Sequence, residues 1–188
     1  MAHDKKLTKE ILLNALGKTE DTLEVQKLFQ ILGEADKLDD VNFENTIFNG
    51  KRYSYVDAED GRYDYSWDKY GISLKFIDYK HVTLEPIEYE VGQVPELATI
   101  FLYIKPDTEW GYESCLPICN EPRFYEGLTI DDILKVFGEP QKIWSSERKN
   151  TTRYTYNSPK GFEKSGIQFS FSTDTKEIFI IVITLKEK

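Results

Sequence analysis

Histidine is almost missing from this 188-residue chain: His3 stands near the N-terminus and His81 alone in a polar segment. Without them no Ser-His-Asp or Cys-His constellation can be assembled, so nucleophilic catalysis of that kind is not expected. Cysteine is equally scarce. Cys115 and Cys119 lie four apart in Ser-Cys-Leu-Pro-Ile-Cys-Asn. Two are too few for a tetrahedral zinc site, and in a cytosolic chain they are expected as free thiols. No run of eighteen apolar residues exists, so no transmembrane helix is expected. The start, Met1 to Lys6, leads into a mixed segment without a small-residue cleavage site or a lipid-bearing cysteine. A secretory leader is therefore not expected either, and the expected location is the cytoplasm. Basic residues are outnumbered, 24 Lys and Arg against 33 Asp and Glu, for a formal net charge of −9. Phosphate binding needs clustered cations, which disfavours nucleic acid, while a basic protein partner is favoured electrostatically.

What the chain does have is a repeated device. Thr129 to Pro140 reads as a short amphipathic helix. Thr129 caps it, Asp132 completes a box-like start, Ile130, Ile133, Leu134 and Phe137 share one face, Gly138 stops it and Pro140 prevents its resumption. Shifted back by 105 positions, Val25, Leu28, Phe29 and Leu32 fill the same slots before Gly33. Three further landmarks follow in the same order. Tyr53 and Tyr55 match Tyr154 and Tyr156, Gly71–Phe76 matches Gly166–Phe171, and Ile100–Ile104 matches Ile178–Val182, at offsets of 101, 95 and 78. Shrinking offsets suit loop insertions in the first copy, since loops lengthen at little cost. The expected class is α+β: two tandem units, each a helix on an antiparallel sheet. The expected boundaries are 1–109 for the first unit with an extra N-terminal helix, 110–125 for a linker holding both cysteines, and 126–188 for the second unit.

The acid excess sits in the first unit. Residues 1–110 hold 13 Lys and Arg against 22 Asp and Glu, whereas 111–188 hold 11 of each. Within the first unit, Arg52–Val56 and Arg62–Trp67 read as a hairpin joined through Ala58-Glu59-Asp60-Gly61. The run Asp57 to Asp68 superficially suggests a calcium loop, but its glycine falls at position 5 instead of 6 and position 12 is Asp68 in a strand, so no metal is expected. Carboxylates abound without any pair being singled out, so no catalytic residue, cofactor or enzymatic activity is assigned. The aromatic and acidic stripe is the candidate partner-binding site: Asp57, Glu59, Asp60, Tyr63, Asp64, Tyr65, Trp67 and Asp68. Tyrosine offers rigid contact area with a polar tip, and the acids suit a basic partner. Tyr53 and Tyr55, which recur, are expected in the core. Tyr63, Tyr65 and Trp67, which show no counterpart in the second unit, are expected on the binding surface.

A helix ending in Phe137-Gly138-Glu139-Pro140, with a degenerate earlier copy, before a meander with paired tyrosines resembles the beta-lactamase inhibitory protein fold and its outer-membrane lipoprotein relatives. That resemblance implies two helix-plus-sheet units whose sheets form a concave surface gripping another protein. The chain departs from the secreted inhibitors in lacking disulfides within each unit, and from the lipoproteins in lacking a lipidated cysteine. An acidic cytosolic member of this architecture is similar to bacterial toxin immunity proteins. The expected function is therefore a non-enzymatic inhibitor of a basic toxin or enzyme. The alternative is an assembly or structural role in the cell envelope.

Overall fold

The structure, a computed structural model, describes residues 6–38, 46–48, 51–53, 62–77, 95–108, 111–115, 119 and 129–186. Its class is α+β, an antiparallel sheet with helices packed on one side. The first helix, α1 (Lys9–Ala15), is capped by Thr8, whose side chain accepts from Ile11 N. The second, α2 (Leu23–Leu32), ends where the Gly33 N–H reaches Phe29 O at 2.8 Å. The third, α3 (Ile130–Phe137), has the expected capping box between Thr129 and Asp132 and ends with Gly138 N–H on Leu134 O at 2.9 Å. Both stops use nearly the same backbone, φ 77° and ψ −155° at Gly33, φ 74° and ψ −158° at Gly138.

In chain order the strands are β1 (Lys37–Leu38), β2 (Thr46–Phe48), β3 (Lys51–Tyr53), β4 (Arg62–Trp67), β5 (Ile72–Ile77), β6 (Glu96–Tyr103), β7 (Lys142–Ser146), β8 (Thr151–Asn157), β9 (Ser165–Ser172) and β10 (Ile178–Leu185). Eight form one sheet in the order β1-β4-β5-β6-β10-β9-β8-β7, and β2 pairs with β3 separately. The expected hairpin between Arg52–Val56 and Arg62–Trp67 is therefore not the pairing found: β3 pairs with β2, and β4 lies between β1 and β5. The turn that was to join them, 57–61, lies outside the described residues.

The second half of the sheet is a four-strand meander, the first has β2 and β3 interposed in the chain between β1 and β4, and the last strands of the halves, β6 and β10, meet in the middle. The registers of the halves run in step. Lys37 faces Ser66 and Leu38 faces Tyr65 in the first; Lys142 faces Thr155 and Ile143 faces Tyr154 in the second. Next, Tyr65 faces Leu74 and Trp67 faces Ile72, as Tyr154 faces Phe169 and Tyr156 faces Ile167. Then Ile100 and Leu102 on β6 face Leu74 and Ile72, as Ile181 and Ile183 on β10 face Phe169 and Ile167. At the centre Phe101 faces Val182, with Leu102 opposite Ile181 and Ile100 opposite Ile183.

The helices cover one face, and a single cluster of buried residues runs beneath them through both halves. Phe29 of α2 packs its ring 5.3 Å from Tyr65 and 5.8 Å from Trp67. Phe137 of α3 does the same with Tyr156 at 5.4 Å and Phe169 at 5.3 Å. Two hydrogen bonds tie sheet to helix end: Trp67 Nε1 donates to Gly33 O at 3.1 Å, and Tyr156 Oη donates to Gly138 O at 3.0 Å. A buried indole or phenol needs such a partner, because an unmet donor there is costly. The places held by Tyr154 and Tyr156 in the second half are thus held in the first by Tyr65 and Trp67; Tyr53, expected there, lies on β3, and Tyr55 lies outside the described residues. Likewise Ile100 takes the place of Ile181, three positions beyond the expected Ile178.

The segment expected as a linker packs against the sheet where it is described. Cys115 N–H reaches Tyr103 O at 2.8 Å, Glu113 N–H reaches Asp68 O at 2.7 Å, and Cys119 bridges to Leu7. Both cysteines are buried free thiols. A hydrogen bond with Cys119, then burial, pushes the Cys115 thiol well above its usual range, so it packs as a small apolar residue.

Candidate functional site

Of the eight residues expected to bind a partner, Asp57, Glu59 and Asp60 lie outside the described residues, and for Tyr63 the backbone alone is described, on β4. The other four divide by the alternation of the strand. Tyr65 and Trp67 point under α2, at 8% and 1% exposure. That corrects the expectation of a binding surface there: their rings fill the core, as Tyr154 and Tyr156 do. Asp64 points to the opposite face, where Lys75 meets it at 3.6 Å. Asp68 opens a short 3-10 turn, its backbone carbonyl accepting from Gly71 and Glu113.

Among the described residues no helix packs on the opposite face, where the larger side chains are partly exposed and Ser66, Ser73, Thr99 and Ser170 are buried between them. Register assigns its side chains. From the first half come Asp64, Ser66, Ser73, Lys75, Thr99, Phe101 and Tyr103. From the second come Ile180, Val182, Gln168, Ser170, Arg153, Thr155, Lys142 and Trp144. Its centre is apolar: Phe101, Tyr103, Ile180 and Val182, all partly exposed, lie over the β6–β10 junction. Tyr112 stacks on Tyr103 with centroids 4.0 Å apart and planes within 13°. Burial, then the neighbouring Tyr112 and Asp107, push the Tyr103 phenol well above its ordinary range, so it stays a neutral hydrogen-bonding group. On one wing lies the Asp64–Lys75 pair. On the other, the Arg153 guanidinium lies over the Trp144 ring at 4.7 Å, and that indole is 40% exposed. Among the described residues, register puts Asp64 on this face and, at the far end of the β5–β6 pairing, Glu96 opposite Ile77.

A signal for the apolar centre was present in the sequence. A strand with one face in the core and one in solvent alternates. Ile100–Ile104 and Ile178–Ile183 do not, and lack of alternation on the two central strands puts apolar side chains on both faces. Among the described residues no three His, Cys, Asp or Glu side chains gather to hold a metal ion. No described helix is long and apolar enough to cross a membrane.

No protein-family model matches this chain, and no curated protein matches it. Among solved structures it is similar to a DUF4309 family protein, YjgB, from Bacillus subtilis, at 11% identity and a TM-score of 0.43, covering 94% of this chain and 92% of that one. A likeness that distant carries no argument about fold or function.

Proposed function

We propose that the chain is a tandem duplication whose continuous sheet binds a protein with its helix-free face, and that it is a non-enzymatic inhibitor of the immunity kind, neutralising a bacterial toxin or enzyme in the cytoplasm. The duplication is supported by correspondences at four levels. They are the two glycine helix stops, the two aromatic bonds to their carbonyls, the strand registers, and the backbone bonds from Asp36 to Ser66 at 2.9 Å and from Gln141 to Thr155 at 3.0 Å. Matched positions differ by 105 in the helix and first strand, 89 in the second strand, 95 in the third and 81 in the fourth. The central pairing is self-complementary. With Ile100 matched to Ile181 and Leu102 to Ile183, Ile100 faces the counterpart of Leu102, Leu102 faces that of Ile100, and Phe101 faces its own, the pattern of a two-fold interface within one chain. Two helix-plus-sheet units in tandem are what the resemblance to the beta-lactamase inhibitory protein fold implies.

The observation that carries the binding role is the partly exposed apolar centre of the uncovered face. Phe101, Tyr103, Ile180 and Val182, flanked by charged wings, have the anatomy of an interface core within a polar rim. The chain's net charge of −9 would steer a basic partner from a distance, speeding association more than it tightens the complex. The test is capture of partners from the source cell with wild type and with Val182→Asp, both checked for folding. A basic toxin or enzyme retained by the first and lost by the second is the expected result. Retention by both would overturn the face assignment, and envelope proteins recovered by both would favour an assembly role.

A further inference from the structure

We propose that Arg153, laid against Trp144 on the second wing, is the seat for a carboxylate from an acidic stretch of the partner protein. The inference rests on the binding role of the uncovered face and names the chemistry recognised at one place on it. The two halves differ there in an informative way. On the first wing the residue just before Tyr65 is Asp64, facing Lys75 across β5, and the two pair. On the second wing the residue just before Tyr154 is Arg153, and across β9 it faces Ser170. Where one half holds an acid ion-paired with a base, the other holds a cation opposite a hydroxyl.

Among the described residues, β7 to β10 place Lys142 and Arg153 on this face and no Asp or Glu. The Arg153 Nε is buried and meets no acceptor. A guanidinium over an indole face gains a cation–π attraction and is held flat, but its N–H groups still need acceptors in the ring plane. A carboxylate arriving side-on meets Nε and one Nη together, the forked geometry that fits arginine and that lysine cannot reproduce. Trp144 stands on the edge strand β7, all of it exposed or partly so, and its ring, 40% exposed, borders the guanidinium. Arginine and tryptophan are also the residue types on which interface energy concentrates. Local recognition of a carboxylate is compatible with a basic partner, since steering depends on net charge and the seat on one side chain.

The test uses the full chain labelled with nitrogen-15 and hexaglutamate as the probe, following the Arg153 Nε–H and Trp144 indole N–H resonances. Saturable shifts of both are expected, with hexalysine producing none. Arg153→Lys, which keeps the charge and loses the fork, should weaken binding by about tenfold. No shift, an equal response to hexalysine, or unchanged affinity in Arg153→Lys would overturn the seat. Inorganic phosphate binding as tightly as hexaglutamate would also overturn it, showing a general anion site. These outcomes separate from failure of the broader reading. A natural partner lost by Val182→Asp but held with unchanged affinity by Arg153→Ala would leave the face in place and remove the seat.

Discussion

Replacing Gly71 by alanine should destabilise the chain far more than a surface glycine change usually does. Gly71 follows the 3-10 turn at Asp68–Tyr70 and sits in the left-handed region, φ 56° and ψ 42°. An L-residue there costs about 1–2 kcal/mol. The added Cβ would also stand 2.0 Å from Glu113 O and 2.9 Å from Cys115 N, both backbone atoms, so the Glu113–Cys115 strand of the connector must move. It is held by Glu113 N–H on Asp68 O and Cys115 N–H on Tyr103 O, and moving it by an ångström or more breaks one or both, each worth about 0.5–1.5 kcal/mol. The expected loss is about 2–5 kcal/mol, which for a chain of this size lowers Tm by roughly 5–15 °C. Urea and thermal unfolding followed by circular dichroism measure it. Gly33→Ala makes a comparison of a different kind: its Cβ meets nothing within 4 Å, so its whole cost comes from φ 77° and ψ −155°, a region open essentially to glycine alone. A Gly71→Ala protein within half a kcal/mol of wild type would refute the packing of the connector on the β5–β6 end.

Removing the Tyr156 hydroxyl as Tyr156→Phe keeps the ring under α3 but leaves Gly138 O without its donor, and should cost about 0.5–1.5 kcal/mol in urea unfolding. Burial, then Tyr154 and Glu139, push the Tyr156 phenol up to about 12 from an ordinary 10. The neutral form is favoured by folding, so its contribution is complete below pH 10 and is lost as pH rises towards 12; Tyr156→Phe should flatten that decline. Thr129→Ala removes the α3 cap and should cost about 1 kcal/mol. Bonds from Thr129 hold the Asp132 carboxyl below its usual range, so whatever it adds is present at neutral pH and lost on acidification through that lowered value, most simply read as a smaller acid dependence in Asp132→Asn. The exposed Lys105–Glu177 pair, by contrast, should show little coupling in a double-mutant cycle, and less still at high salt.

Local signals explain which parts of this structure were legible in the sequence. Thr8, Thr129 with Asp132, Gly33 and Gly138 act within a few residues of themselves, so helix bounds follow from short motifs. The hairpins β7–β8 and β9–β10 have short connections and follow as well. The first half failed where pairing depends on distance along the chain. Nothing local says that β3 pairs back with β2, or that β4 takes the place of β8. The consequence fell on the site. Tyr65 and Trp67 seemed to lack counterparts because Tyr53 and Tyr55 had been matched to Tyr154 and Tyr156. In the structure Tyr65 and Trp67 lie under α2 at 8% and 1% exposure, and that burial marks them as core. A shift of three residues on the last strand had a like effect, because an odd shift exchanges the two faces. It hid Phe101 and Val182 as facing residues at the centre of the uncovered surface.

The most direct test of binding through that surface is hydroxyl-radical footprinting of the chain alone and in complex with its captured partner. Oxidation of Phe101, Tyr103, Tyr112 and Trp144 should fall in the complex, while Leu23 and Val136 on the helical side, 87% and 67% exposed, should be unchanged. Protection of Leu23 and Val136 with the four aromatic residues unaffected would contradict the account and place the interface on the helices.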